Sequence, residues 1–308
     1  MKKKIILIGH MPCTAGTFYS HYIGKIISSN KPIIIPETNP CNILKRKRNS
    51  FIPYSLNTSS FLIGFRNFDE YLEEYKNELI SFIKKWERSQ SDTLVIRDHV
   101  WGEFTSPKSR NSSKPILSEI LTKSGIDYYP IFTKRDPIDS WLSLNSNFPD
   151  IEINLIEYKN IYHKAINGWR NFYGNKLIEI KIEDFVLNKE KIKSQFKENL
   201  NISLDDVSLK QTIGKDELLS GASGRGNSYP KILKRKPFSF LFWAEITRNK
   251  DFLEFRKEIG YSKEFKLNNI FCLTKSLFHS IYQPLINLKI RNKKIKCYLK
   301  MAKYLAYR

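Results

Sequence analysis

Basic and histidine side chains stand at or just after the ends of three apolar runs of the chain, as His10, His99 and Arg135. The runs have the length and composition of buried strands. In a parallel sheet the carboxyl ends of the strands lie at one edge, where ligands bind. The sequence therefore predicts one cleft, lined by side chains from separate segments and suited to an anionic ligand.

Residues 9–18, GHMPCTAGTF, read as a strand end, a turn of small residues and a helix start. Such a turn presents backbone N–H groups and the positive end of a helix dipole to an anion. It differs from the Walker pattern, because no Lys-Ser/Thr pair follows Gly16. The segment is either an anion-binding loop or an ordinary strand-to-helix turn.

Arg135 and Ser143 stand eight residues apart, at the end of an apolar run and on the predicted helix after it. A guanidinium group and a hydroxyl group can together bind one phosphate. The alternative is a simple helix start, with Asp136 or Asp139 as the cap and Pro137 in the first turn. The two interpretations are compatible.

His99 is the candidate general base, because histidine titrates near working pH and here directly follows a buried strand. A structural histidine that bonds a loop carbonyl is the alternative. His10 lies near the same cleft and is held in reserve for this role. His21 and His163 stand on predicted helices and are expected to be packing or surface residues.

Five predicted strands must position these side chains. They cover residues 4–10, 31–37, 93–99, 126–133 and 176–182, and helical patterns alternate with them, the clearest at residues 68–89. Acidic residues lead this last helix and basic residues end it, as the helix dipole favours. Strands that alternate with helices predict a doubly wound, parallel sheet.

Four segments, IILIGHMPCTAGTF, VIRDH, PIFTKRDPIDSWLS and IEIKIEDF, resemble sulfotransferases that use PAPS (3′-phosphoadenosine 5′-phosphosulfate), in order and in spacing. The resemblance covers roughly residues 4–240. It implies the sulfotransferase fold, a P-loop-like, three-layer αβα arrangement with a central parallel sheet. It also implies sulfuryl transfer from PAPS to a hydroxyl of a carbohydrate or glycan, with release of PAP and without a metal. The RDH and GASGR segments resemble bacterial members that modify glycans.

The same resemblance implies roles for individual residues. The early loop would bind the 5′-phosphosulfate, and Arg135 with Ser143 would bind the 3′-phosphate. His99 would be the general base with Arg97 as a nearby cation, and Arg225 would add a contact from a late, mobile segment. The implied PAPS-binding residues are Pro12, Cys13, Thr14, Ala15, Gly16, Thr17, Phe18, Arg135, Ser143 and Arg225, and the implied catalytic residues are His99, Arg97 and Thr14.

One position departs from the family pattern. The family has Lys or Arg two residues before the Gly-Thr of the loop, whereas this chain has Thr14, preceded by Cys13. Losing a cation at the leaving oxygen costs about 3 kcal/mol of transition-state stabilisation. Arg97 or His10 can substitute for it. Otherwise the chain is a weak or silent homologue that binds PAPS or PAP; a P-loop nucleotide kinase is a further alternative.

The chain has 308 residues and a net charge of +21, and no acidic residue follows Glu264, whereas ten basic residues do. Such charge attracts nucleic acid, nucleotides, acidic glycans or acidic lipid. No nucleic-acid-binding motif accompanies it, so no nucleic-acid partner is expected. We predict a sulfotransferase domain at residues 1–265 and a basic helical extension at residues 266–308. Residues 285–308 either contact acidic membrane or form a solvated helix.

The four cysteines form no CxxC pair and have no metal-ligand spacing, which fits a reducing compartment. The apolar run near the N-terminus is too short for a signal peptide. No stretch reaches the ~18 apolar residues of a membrane-spanning helix. The expected location is cytoplasmic, with peripheral contact at the inner membrane face as the further interpretation of the tail.

Overall fold

The structure of the chain is a computed structural model. It describes residues 3–35, 39–40, 68–100, 115–147, 153–213, 230–232, 235, 238, 240–262 and 264. Arg225 and the C-terminal residues 266–308 lie outside the described residues. The roles predicted for them, and the division into two domains, stay predictions.

The described part of the chain is built on a parallel sheet of five strands. Their order across the sheet is β2-β3-β1-β4-β5, so β1 lies in the centre, between β3 and β4. The strands are β1 Lys4–His10, β2 Ile33–Ile35, β3 Thr93–His99, β4 Tyr129–Lys134 and β5 Ile178–Lys181.

Helices alternate with the strands along the chain. They are α1 Gly16–Ile27, α2 Phe68–Glu87, α3 Ile116–Lys123, α4 Pro137–Asn147, α5 Leu155–Tyr173, α6 Asp184–Leu187, α7 Lys189–Leu200, α8 Phe240–Arg248 and α9 Lys250–Glu258, with 3-10 turns at Gly174–Lys176 and Ser208–Lys210. The long helix predicted at residues 68–89 is confirmed as α2.

Helices cover both faces of the sheet. In β1, Ile5 and Leu7 belong to a hydrophobic cluster that α2, α3 and α5 complete, whereas Ile6 and Ile8 belong to a second cluster with α1 and α7. Because side chains alternate between the two faces of a strand, burial of both faces requires the continuous apolar run seen in the sequence. The predicted three-layer arrangement with a central parallel sheet is confirmed.

The edge strand β2 begins later than predicted. A strand was expected over residues 31–37; within the described residues it begins at Ile33, and Ile33–Ile35 pair with β3, whereas residues 36 and 37 lie outside the described residues. Pro32 and Pro36 flank these three residues in the sequence. Proline has no N–H group to donate to a neighbouring strand, which accounts for the start of the strand after Pro32.

Side-chain caps define where two helices near the carboxyl edge of the sheet begin. Asn154 accepts a hydrogen bond from the N–H of Glu157 at 2.9 Å, and Glu157 accepts one from the N–H of Asn154 at 3.0 Å, which starts α5. Asp136 accepts from the N–H of Ile138 at 3.0 Å at the start of α4, where Pro137 is the first helical residue. The predicted cap by Asp136 is confirmed.

Candidate active site

The loop between β1 and α1 has a conformation that costs energy. Cys13 and Ala15 have φ angles of 59° and 60°, in the left-handed region that non-glycine residues rarely adopt. Each such residue costs on the order of 1–3 kcal/mol and persists only where its surroundings impose it. The Thr14 side chain is fully buried between them and donates to the Met11 carbonyl at 2.7 Å. The loop is thus held in one shape.

Helix α1 begins directly after this loop. Within the described part of the chain, the N–H groups of Gly16, Thr17 and Phe18 have no hydrogen-bond acceptor, and Ala15 supplies no side-chain cap. The first turn also lacks an acidic residue. Free N–H groups and the helix dipole together attract an anion at such a helix start. The residues predicted to bind phosphosulfate therefore include donors of the required kind.

His10, Arg97 and His99 form a cluster at the carboxyl ends of β1 and β3. The parallel register pairs His10 with His99, and Arg97 shares a face with His99 because the two are two residues apart. Arg97 donates from Nε to His10 Nε2 at 2.8 Å. The rings of His10 and His99 meet edge to face, with centroids 4.9 Å apart. The predicted base and the predicted cation thus belong to one cluster.

The reserve interpretation of His10 as a general base stays a prediction, although its hydrogen bonds favour another role. Its Nδ1 lies 3.0 Å from the Met11 carbonyl oxygen, which can only accept, so Nδ1 carries the proton and Nε2 accepts from Arg97. Both ring nitrogens are therefore used, and the side chain is buried. His99 is half-buried instead.

Arg135 follows β4 and reaches the loop after β1. Its side chain is 5% exposed and donates from Nη1 to the Cys13 carbonyl at 2.8 Å. The preceding residue, Lys134, pairs instead with Glu179 at 2.8 Å, as expected when consecutive side chains point to opposite faces. The structure therefore brings Arg135 and the predicted anion loop into contact, although 122 residues separate the bonded pair in the sequence.

Two tyrosines of α5 hold this arrangement, and neither was predicted from the sequence. The Tyr162 hydroxyl accepts from the N–H of Arg135 and donates to its carbonyl, at 3.2 Å each. Tyr158 donates to the Pro12 carbonyl at 3.1 Å. Burial raises the pKa of both hydroxyls, so both remain protonated donors. The four-residue spacing of the tyrosines on one buried helix face was the available sequence signal.

A group of ion pairs surrounds the residue after Arg135. Asp136 accepts from Arg256 at 2.7 Å and from Arg235 at 2.8 Å, and Arg235 also donates to Asp139 at 2.6 Å. Asp136 and Arg256 are both 3% exposed. The pair of Asp136 with Arg256 attaches α9 to the segment of Arg135. The pairs of Arg235 with Asp136 and Asp139 attach residue 235 to the start of α4. No local pattern predicts these pairs, because 120 and 99 residues separate the partners.

The two predicted hydroxyl side chains, Ser143 and Thr14, occupy different places. Ser143 is buried on α4, one turn beyond Ser140, which donates to the Asp136 carbonyl at 3.1 Å. The Thr14 hydroxyl proton is used inside the loop, by the Met11 carbonyl. Thr14 was predicted as a catalytic residue; in this arrangement its hydroxyl proton fixes the turn, and the catalytic role stays a prediction.

A carboxylate near Arg135 balances part of its charge. Burial raises the pKa of Glu183, and the positive charge of Arg135 opposes that rise. The Tyr261 hydroxyl lies 2.7 Å from Glu183 Oε2, and Tyr261 follows α9. The charge of Arg135 therefore favours the ionised form of Glu183.

Asp98 lies between Arg97 and His99 in β3 and so points to the opposite face of the sheet. It is fully buried and accepts from Asn39 Nδ2 at 2.7 Å. Burial raises the pKa of its carboxyl group to about 7, and the hydrogen bond from Asn39 limits the rise. Asp98 therefore lies on the opposite face of β3 from Arg97 and His99 and is not part of the cluster with His10.

Among the described residues, no group of three His, Cys, Asp or Glu side chains lies close enough together to hold a metal ion. No helix in the same part of the chain combines the length and the apolar character needed to cross a bilayer.

Two sulfotransferases are among the solved structures that are similar to this chain. The sulfotransferase domain from the curacin biosynthetic pathway has a TM-score of 0.48 and 15% identity, over 85% of this chain and 99% of that chain. Mouse sulfotransferase SULT7A1 complexed with PAP has a TM-score of 0.40 and 12% identity, over 98% of this chain and 89% of that chain. Likeness at these values does not establish a shared activity. No protein-family model and no curated protein matches the sequence.

Proposed function

We propose that this chain is a sulfotransferase that transfers a sulfuryl group from PAPS to a hydroxyl of a carbohydrate or glycan. The contact of Arg135 Nη1 with the Cys13 carbonyl at 2.8 Å is the observation that carries the proposal. It sets a strand-end guanidinium group beside the left-handed loop at the start of α1. Two adjoining anion-binding elements suit a ligand with two separate phosphate-type groups, as PAPS has.

The residues present fit this ligand. The N–H groups of Gly16, Thr17 and Phe18 would hold the phosphosulfate, and Arg135 with Ser143 would hold the 3′-phosphate. When bound, PAPS supplies the sulfuryl group, and PAP is its leaving group. His99 takes the proton of the acceptor hydroxyl as that oxygen becomes the nucleophile.

Arg97 is the candidate for stabilising the negative charge that develops as PAP leaves. The loop of residues 11–18 contains neither Lys nor Arg, so a cation must come from another element. Arg97 lies on β3, beside the strand from which the loop departs. A fixed cation at this place lowers the barrier without reorganising during the reaction.

A second candidate function is supported by the loop itself. The Thr14 hydroxyl proton is used by Met11, and no loop side chain is cationic. A homologue that binds PAPS or PAP without transferring the sulfuryl group would have such a loop. Both candidates predict PAP binding, and only the first predicts turnover.

Ligand binding is tested by thermal shift and calorimetry. PAP should raise the melting temperature, whereas stabilisation by Mg-ATP and not by PAP would favour a nucleotide kinase. Arg135→Ala should weaken PAP binding by roughly tenfold to a hundredfold, since a charge-assisted hydrogen bond contributes about 1.5–3 kcal/mol. Lys134→Met is the matched control, because Lys134 pairs with Glu179 and not with the loop. Equal PAP affinity in both variants would remove Arg135 from the site.

Turnover is tested through the base, with PAPS and a panel of oligosaccharides. His99→Ala should lower kcat by about 10²–10⁴-fold and leave PAP affinity nearly unchanged. His163→Ala is the control, since His163 lies on α5 beside Glu258 and outside the cluster. A His99→Ala variant with full turnover would contradict the assignment. Absence of turnover in the wild type, together with tight PAP binding, would favour the silent homologue.

The basic extension supports a further proposal on location. The basic residues within 285–308 would bring a cytoplasmic enzyme to an acidic membrane surface. Each basic residue near such a surface contributes about 1 kcal/mol. Sedimentation with acidic and neutral liposomes, at low and at high salt, tests this contact. Equal binding to both liposome types would contradict it.

A further inference from the structure

The Arg97 guanidinium is oriented by one imidazole ring. Arg97 and His10 are 3% and 2% exposed, and Arg97 Nε donates to His10 Nε2 at 2.8 Å. His10 Nδ1 donates to the Met11 carbonyl at 3.0 Å. These two bonds require the neutral ring with its proton on Nδ1. A ring in this state offers Arg97 one acceptor in one direction.

The ring itself cannot change its orientation easily. A Cβ at position 16 would lie within 2.6 Å of His10 Cδ2, so the start of α1 packs directly on the ring and requires glycine there. The ring of His99 meets it edge to face from β3, with centroids 4.9 Å apart. The ring is thus held by the loop, by α1 and by the neighbouring strand.

Fixing one nitrogen of a guanidinium group fixes the others, because its five N–H donors lie in one rigid plane. The bond from Nε to His10 therefore sets the direction of both Nη groups of Arg97. A preorganised donor stabilises developing charge without the energy of reorientation. The orientation of Arg97 matters most in this chain, because residues 11–18 supply no cation of their own.

We propose that His10 is a positioning residue for sulfuryl transfer, which holds Arg97 in the orientation that stabilises the leaving group. This role rests on the sulfotransferase function proposed above. His10 does not contact the reacting atoms and does not exchange a proton with them. It acts through Arg97, so its contribution disappears when Arg97 is absent.

Two variants of His10 separate this role from a purely structural one. His10→Gln places a side-chain oxygen where Nε2 is and keeps an acceptor for Arg97. His10→Asn places a side-chain amide where Nδ1 is and keeps the donor for the Met11 carbonyl, but loses the acceptor for Arg97. If His10 only holds the loop, Asn is the better replacement; if it positions Arg97, Gln is.

Turnover is measured as PAP release from PAPS with the oligosaccharide panel, and PAP affinity by calorimetry. His10→Asn should lower kcat roughly tenfold or more with KM for PAPS within about threefold, whereas His10→Gln should retain kcat within about threefold. In an Arg97→Ala background, neither change should lower kcat further, because the two residues act as one unit. Urea denaturation confirms that each variant is folded.

Equal kcat for the Asn and Gln variants would overturn the positioning role, and so would effects that simply add to that of Arg97→Ala. In either case, turnover by the wild type would leave the proposed function intact. A wild-type chain without turnover overturns the proposed function and this role together. The ring state has its own readout, the ¹⁵N chemical shifts of His10 in the wild type. Chemical shifts typical of a ring protonated on Nε2, or of a charged ring, would contradict the proposal without any activity assay.

Discussion

Replacing Asp136 by alanine tests whether a buried ion pair holds α9 to the segment that carries Arg135. Asp136 is 3% exposed, accepts from Arg256 and Arg235, and caps α4. Removing one partner of a buried pair costs about 3–5 kcal/mol, and losing a helix cap costs about 1 kcal/mol. We expect the free energy of unfolding to fall by about 4–6 kcal/mol, from a typical total of about 5–15 kcal/mol.

Urea denaturation, followed by tryptophan fluorescence at neutral pH, measures this change. Asp139→Ala is the matched control, because Asp139 bonds the same Arg235 at 2.6 Å in a pair whose side chains are 32% and 13% exposed. Such a pair contributes at most about 1 kcal/mol. Asp136→Asn keeps an oxygen for the cap and removes the charge, so it should lose less stability than Asp136→Ala.

Adding Arg256→Met to Asp136→Ala removes the uncompensated charge and should recover part of the lost stability. The reasoning is refuted if Asp136→Ala is no more destabilising than Asp139→Ala. It is refuted equally if Arg256→Met deepens the loss, because then the guanidinium group was not the source of the cost.

Three further changes have expected results. Tyr162→Phe leaves the N–H and carbonyl of Arg135 without their shared partner and should lower the free energy of unfolding by about 1–3 kcal/mol, measured by urea denaturation, together with weaker PAP binding. Gly16→Ala would overlap the His10 ring, and calorimetry should show PAP affinity reduced at least tenfold, since the loop must shift. Burial raises the pKa of Asp98 from 3.8 to about 7. Between these two values the folded state holds a proton that the unfolded state has lost, so the free energy of unfolding of the wild type falls as pH rises from about 4 to about 7. Asp98→Asn should remove that fall; a stability difference from wild type that stays constant across this pH range would contradict it.

Local patterns in the sequence predicted much of the fold. The apolar runs that became β1, β3 and β4 ended in polar residues at the predicted positions, because a strand buried on both faces must be apolar throughout its length. The prediction was less accurate at the start of β2, where the strand begins after Pro32, at Ile33 and not at residue 31. That limit depends on backbone N–H groups, which hydrophobic periodicity does not report.

The candidate site was predictable as a set of segments and not as a set of contacts. Arg135, His99 and the loop after β1 were expected at one edge of the sheet, since the carboxyl ends of parallel strands meet there. The tyrosines of α5 were not expected, because their spacing on a helix also suits an ordinary packing face. The use of the Thr14 hydroxyl inside its own turn was not expected either, since residue types do not specify where a hydroxyl donates.

By itself, the sequence determined which stretches become strands and helices and which strand ends carry charge, because periodicity and polarity are local properties of the chain. Only the tertiary structure decided the partners: Arg97 with His10, Arg135 with the Cys13 carbonyl, and Asp136 with Arg256. These partners are 87 to 122 residues apart in the sequence. Strand order, parallel register and the face to which each side chain points bring them together, and a change of one residue in register would separate them.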